Sequence, residues 1–145
     1  MVGTRCAAGD AGRGTAWNDH RVQRVLVVDG ANVVGSRPDG WWRDRPAAAA
    51  RLHGRLAVAD TSYDEIVLVL EGEAKAGVPR GRDGHLRTVH APKEGDAAIV
   101  LEAQTAHELG HDVVVVTADR ALAQRVEHAG CRTMSPSWLL SVIST

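Results

Sequence analysis

The sequence predicts an α/β domain: a central parallel sheet of about five strands with helices on both faces. Three observations lead there. Short runs of Val, Leu and Ile alternate with longer stretches whose apolar residues recur at helical spacing, the order that builds strand–helix–strand units. The strand-like runs are apolar at consecutive positions rather than at every second one, as expected of strands covered on both faces. The chain has 145 residues, 44% of them hydrophobic, which suits one domain with a buried core.

Residues 1–20 hold glycine, alanine and charged side chains without a hydrophobic period, and are expected to form a flexible extension ahead of a domain over residues 21–145. Arg24-Val-Leu-Val-Val-Asp29 reads as the first buried strand, closed by the turn signal Asp29-Gly30. A loop with Pro38, Asp39-Gly40 and Trp41-Trp42 follows. The segment from Pro46 to Ala59 is expected to be helical, with Pro46 near its first position and Leu52, Leu56 and Ala59 on one face. Glu65 to Glu71 forms the second strand, and Gly72 to Gly84 a loop. His85 to Ala91 is the third strand.

Gly95 to Leu109 places Ile99, Ala103, Ala106 and Leu109 at helical spacing, with Gly110 as the stop before the fourth strand, Asp112 to Thr117. Asp119 to Ala129 repeats the pattern with Gly130 as its stop. Cys131 to Met134 makes a short fifth strand, and Ser135-Pro136 opens a last helix running to Ile143.

The formal net charge is −1, so no global basic field exists to bind nucleic acid unselectively, and any such contact must be local. No apolar run reaches the roughly 20 residues that span a bilayer, and no secretory signal pattern opens the chain. A cytoplasmic protein without membrane contact is expected. Cys6 and Cys131 lie far apart and suggest neither a disulfide scaffold nor a cysteine zinc site.

Ligands of open parallel sheets bind beyond the carboxyl ends of the strands, where strand order reverses. The residues due there are Asp29, Glu71, the stretch Lys93 to Asp96, and Asp119. Singly, Asp29 reads as a turn residue, Asp96 as a first-turn acid and Asp119 as a helix cap. If the first and fourth strands flank the reversal, however, Asp29, Asp96 and Asp119 converge and repel one another unless a cation relieves them. Oxygen ligands favour Mg²⁺ or Mn²⁺, and such ions support displacement at phosphorus. Asn32 is placed to orient a ligand or a water, and Lys93 or Arg120 to offset charge on a phosphate.

Val27-Val28-Asp29-Gly30-Ala31-Asn32-Val33-Val34 resembles the D-G-x-N signature that opens the NYN domains, a branch of the PIN-like ribonuclease superfamily, and especially their YacP-like group. Lys93-Glu94-Gly95-Asp96 is similar to that family's central segment, and Val116-Thr117-Ala118-Asp119-Arg120 to its V-T-x-D-R segment. The similarity spans about Val22 to Leu140. It implies a three-layer PIN-like domain and metal-dependent cleavage of RNA, expected to be internal. It further implies Asp29, Asp96 and Asp119 as ligands of Mg²⁺ or Mn²⁺, with Asn32 completing the catalytic set. Where many relatives carry a second aspartate, this chain has Ala97.

RNA is the expected partner, with a homodimer or an RNA-processing complex as a further assembly. Its expected contacts are Lys93 and Arg120, together with Arg37, Arg43, Arg45, Lys75, Arg80 and Arg82 in loops on the active edge. Trp41 and Trp42 stand nearby as stacking groups or as packing against the domain. Two other readings compete. A non-catalytic RNA- or metal-binding module would keep the fold and lose turnover through Ala97. His107-Glu108-Leu109-Gly110-His111 matches the H-E-x-x-H zinc protease spacing, but Gly110 is expected to end the helix between the two histidines.

Overall fold

The structure is a computed structural model and describes residues 21–143. The expected extension over residues 1–20, with Cys6 and Trp17, lies outside the described residues.

Six strands form one sheet: β1 (Arg24–Asp29), β2 (Glu65–Leu70), β3 (Gly81–Asp83), β4 (Leu86–His90), β5 (Asp112–Val116) and β6 (Arg132–Met134). Their order is β3-β4-β2-β1-β5-β6, and every pairing is parallel except β3 with β4. The five parallel strands are those expected from the sequence. The chain moves outward from β1 through β2 to β4, then returns to pair β5 against the free side of β1. Strand order therefore reverses between β1 and β5.

Among the described residues, five α-helices cover the sheet: α1 (Gly30–Gly35), α2 (Arg45–Val58), α3 (Gly95–Glu108), α4 (Arg120–His128) and α5 (Pro136–Ile143). Successive strand residues point to opposite faces. Leu26, Val28, Leu68 and Val116 pack with Val33, Leu52, Leu56 and Leu139 beneath α1, α2 and α5. Val25, Val27, Val67 and Val115 pack with Ile99, Ala103, Leu122 and Val126 beneath α3 and α4. Two apolar layers sandwich the sheet, and this explains why the strands read as continuous apolar runs.

Two elements depart from the sequence reading. Gly30–Gly35, expected to be loop, is a six-residue helix capped by Asp29, whose carboxylate accepts from the Asn32 amide. Its two glycines and two valines are poor helix formers, so propensity hid what the cap and the packing of buried Val33 enforce. Gly81–Asp83, within the expected loop, is a short antiparallel edge strand turned back through Gly84. Three exposed residues carry no hydrophobic period, and a short charged strand is how edges are often kept from pairing further.

Candidate functional site

Asp29 ends β1 and starts α1, which puts its side chain at the strand reversal. It is 3% exposed, and its partners among the described residues are neutral donors. Oδ2 accepts from Asn32 Nδ2 at 2.7 Å and from the Thr117 hydroxyl at 2.8 Å, while Oδ1 receives the Asn32 amide at 3.3 Å. Thr117 directly follows β5, whose Val116 lies beside Val28 of β1. Its hydroxyl also accepts from the Asp119 amide at 3.0 Å. Thr117 thus links two of the acids, Asp29 through its side chain and Asp119 through its backbone.

Asp119 caps α4, its Oδ1 accepting from the Leu122 amide at 3.1 Å. The capping reading of Asp29 and Asp119 is therefore correct, and it is compatible with a further role. A cap occupies one lone-pair direction of a carboxylate that has about four.

Asp96 sits in the first turn of α3. No side chain of its own segment caps that helix; instead Glu71, at the end of β2, accepts the Gly95 amide through Oε1 at 2.9 Å. A methyl group on Gly95 would lie 2.5 Å from that oxygen, so only glycine admits this close approach. Partial burial, then the negative charges of Asp119 and Asp29, push the Asp96 carboxyl above the ordinary carboxylate range. Asp29, Asp96 and Asp119 thus share one electrostatic neighbourhood although they come from three segments.

The donor set is all oxygen, which suits a hard divalent cation, and a cation would favour the ionised form that burial first, and the charges of Asp119 and Asp29 next, disfavour at Asp96. Among the described residues, no group of three or more His, Cys, Asp or Glu side chains is already gathered around one point. Drawing the acids onto an ion requires side-chain movement. Asp119 and Asp96 are both half-buried, whereas Asp29 is packed in the core and held by three hydrogen bonds.

Among the cationic residues, Lys93 and Arg120 are exposed beside Asp96 and Asp119 in sequence. Arg43 and Arg45 lie over the rings of Trp42 and Trp41, 5.7 and 5.4 Å from the centroids. Arg37 lines a small cavity with Val33 and Leu52 and stands 3.7 Å from Asp39. Arg80 is exposed ahead of β3. Lys75 is half-buried and donates to the Ala91 carbonyl at 2.9 Å, tying its loop to the end of β4. Arg82 corrects the sequence reading: it lies on β3, 2.6 Å from Glu65, and Glu65 begins β2 at the sheet edge opposite Asp29. Folding the loop into an antiparallel strand carries it away from the active edge.

His107 lies on α3, but His111 follows Gly110, whose φ of 91° breaks the helix, and its Nδ1 accepts the Gln23 amide at 3.1 Å. The two rings do not share one helix face, as a zinc protease site requires.

The residue that sequence reasoning left without a role is Thr117. The signal was present in the short V-T-x-D-R segment, but only strand register shows the hydroxyl facing Asp29. Replacing Thr117 with valine strands a buried acceptor and an amide, and is expected to cost about 1 to 3 kcal/mol in thermal unfolding. Thr117→Ser, which keeps the hydroxyl, should recover most of that loss.

No family model matches the chain, and no curated protein matches it. Among solved structures, the chain is similar to the crystal structure of Rae1 (YacP) from Bacillus subtilis, there a single-substitution mutant. The TM-score is 0.66 at 19% identity, covering 83% of this chain and 75% of that one. The chain has a YacP-like fold.

Proposed function

We propose that the protein is a Mg²⁺- or Mn²⁺-dependent ribonuclease that hydrolyses internal phosphodiester bonds of RNA. What supports this reading is that Asp29 and Asp119 follow the paired strands β1 and β5 at the strand reversal, with Asp96 in the first turn of α3 and within reach of their charge, in a YacP-like fold. Asp29, Asp96 and Asp119 would hold the ion. When bound, such an ion makes water a better nucleophile and stabilises negative charge developing at phosphorus.

The chain's own residues supply the rest. Asn32 and Thr117 fix the Asp29 carboxylate by donating to the same oxygen, while Oδ1 receives the longer 3.3 Å contact of the Asn32 amide. The Thr117 hydroxyl fixes the start of α4, and Glu71 fixes the start of α3 through the Gly95 amide, so Asp119 and Asp96 are held at their backbones. Lys93 and Arg120 neutralise the phosphate as the strand is seated, and Arg43 and Arg45 with the two tryptophans extend the contact along the chain of nucleotides.

A second reading rests on Ala97. It is exposed one residue after Asp96, where many relatives of the resembled family have a second acid. With one carboxylate fewer the cluster binds a cation less tightly, and the protein would bind RNA without cutting it. Cleavage and binding of a labelled pool of single-stranded and structured RNAs, with Mn²⁺, Mg²⁺ or EDTA, separates the two. Cleavage that needs a divalent ion supports the enzyme; binding without cleavage under every metal supports the module.

The raised Asp96 carboxyl makes a pH prediction. The folded state holds this proton more tightly than the unfolded state, so Asp96 costs stability once pH rises through its folded value, and costs nothing below its unfolded value. In EDTA, Asp96→Asn should therefore melt at a higher temperature than wild type at neutral pH. The gain should shrink as pH falls through the carboxylate range. A variant less stable than wild type at neutral pH would contradict the combined burial and repulsion that disfavour the ionised Asp96.

A further inference from the structure

Beside Asp29 lies a cavity of about 160 Å³, and we propose that it is a nucleobase subsite selecting guanine next to the phosphate that is cut, an inference that rests on the ribonuclease reading above. Gly30, Trp41, Arg45, Glu71 and Gly72 are among the residues that line it. Gly30 directly follows Asp29, and Glu71 directly follows β2, so the cavity opens on the sheet edge that carries the acid cluster. A void of roughly 150 Å³ accepts a benzene ring, so the six-membered ring of a base is of the size that enters.

Its walls have the chemistry of base recognition. The Arg45 guanidinium lies over the Trp41 ring, 5.4 Å from its centroid, and the two planar groups give the wall an aromatic and a cationic partner of the kinds on which bases stack. Trp41 is held in place edge-on to Trp42, with centroids 6.1 Å apart. Facing the base edge is Glu71. Its Oε1 accepts the Gly95 amide, and Oε2 has no hydrogen-bond partner among the described residues.

An ionised carboxylate only accepts hydrogen bonds, so the base that meets it must present donors. Guanine presents two N–H groups side by side on its Watson–Crick edge, N1–H and the N2 amino group. Adenine and cytosine present one amino group there, and uracil one ring N–H. The Gly95 amide takes one lone pair of Oε1, which leaves one there and both on Oε2, so the carboxylate can receive both guanine donors, one on each oxygen, and only one donor from any other base.

The test uses Asp29→Asn protein, so that RNA is bound without being consumed, and fluorescence anisotropy of labelled RNA tetramers AAGA, AAIA and AAAA, where I is inosine, guanosine without its N2 amino group. AAGA is expected to bind about tenfold more tightly than AAIA, the size of one hydrogen bond to a charged group. Glu71→Gln, which keeps an oxygen for the Gly95 amide, should abolish that difference. Trp41→Ala should weaken all three tetramers by about tenfold, as loss of a stacking platform does. Equal affinity for AAGA and AAIA, or discrimination that survives in Glu71→Gln, would overturn the subsite. The inosine comparison uses one protein and is independent of how any pocket variant folds. Guanine discrimination by a wild type that never cleaves RNA would remove the ribonuclease reading and leave the subsite; cleavage indifferent to the neighbouring base would do the reverse.

Discussion

Asp29→Asn is expected to lower metal-dependent RNA cleavage by more than about a hundredfold while leaving the fold intact. The size follows from position: losing an outer-shell partner of a metal site typically costs about ten- to hundredfold, and Asp29 is proposed as a ligand itself. The fold should survive because asparagine keeps the shorter of the hydrogen bonds that Asp29 makes. Its amide oxygen can still accept from Asn32 Nδ2 and Thr117, and the position it gives up is the long 3.3 Å contact with the Asn32 amide. Removing one negative charge also eases the cluster that raises Asp96. The melting midpoint should therefore move by no more than the equivalent of about 1 kcal/mol. A variant that unfolds would mean that the carboxylate is structural, and a variant that cleaves like wild type would remove Asp29 from the reaction.

The largest loss of stability is expected from a residue outside the three proposed ligands. Gly77 closes the 3-10 turn over Gly72–Gly77, which packs against the start of α2. A methyl group on it would lie 1.9 Å from the Pro46 carbonyl oxygen and 2.6 Å from that carbonyl carbon. The obstacle is backbone, and backbone at the first turn of a helix, so no rotamer change relieves it. Gly77→Ala should cost about 3 kcal/mol or more and lower the melting temperature by on the order of 10 °C. The damage should reach function as well. The same turn carries Lys75, which anchors on the Ala91 carbonyl, and it leads from Glu71, which seats α3. A displaced turn loosens Asp96 and the Trp41–Arg45 cavity together. An unchanged melting curve would show that the two segments part without cost.

What the sequence revealed of this fold was what burial imposes on composition. β1, β2 and β5 are covered on both faces and read as unbroken apolar runs, while Gly110 and Gly130, both with positive φ, marked the ends of helical stretches. Elements set by local geometry were not legible. α1 is too short and too rich in glycine and valine to announce itself, and β3 is an exposed polar edge. The same division holds at the site. Asp29, Asp96 and Asp119 could be named because strand ends and helix starts can be read from a sequence. Thr117 could not be given a role, and Glu71, placed at a strand end, could not be read as the group that seats α3, because one acts through strand register and the other through a glycine on a different segment. Arg82 was misplaced for the corresponding reason: loop composition does not say which end of the sheet a side chain reaches.

The central claim is that Asp29, Asp96 and Asp119 form one metal site, and titration of Mn²⁺ followed by electron paramagnetic resonance tests it most directly. The account predicts saturable binding by wild type that is weakened in each of Asp29→Asn, Asp96→Asn and Asp119→Asn, all three remaining folded. Mn²⁺ binding that is absent from wild type, or that persists unchanged when each of the three acids is neutralised, would contradict it.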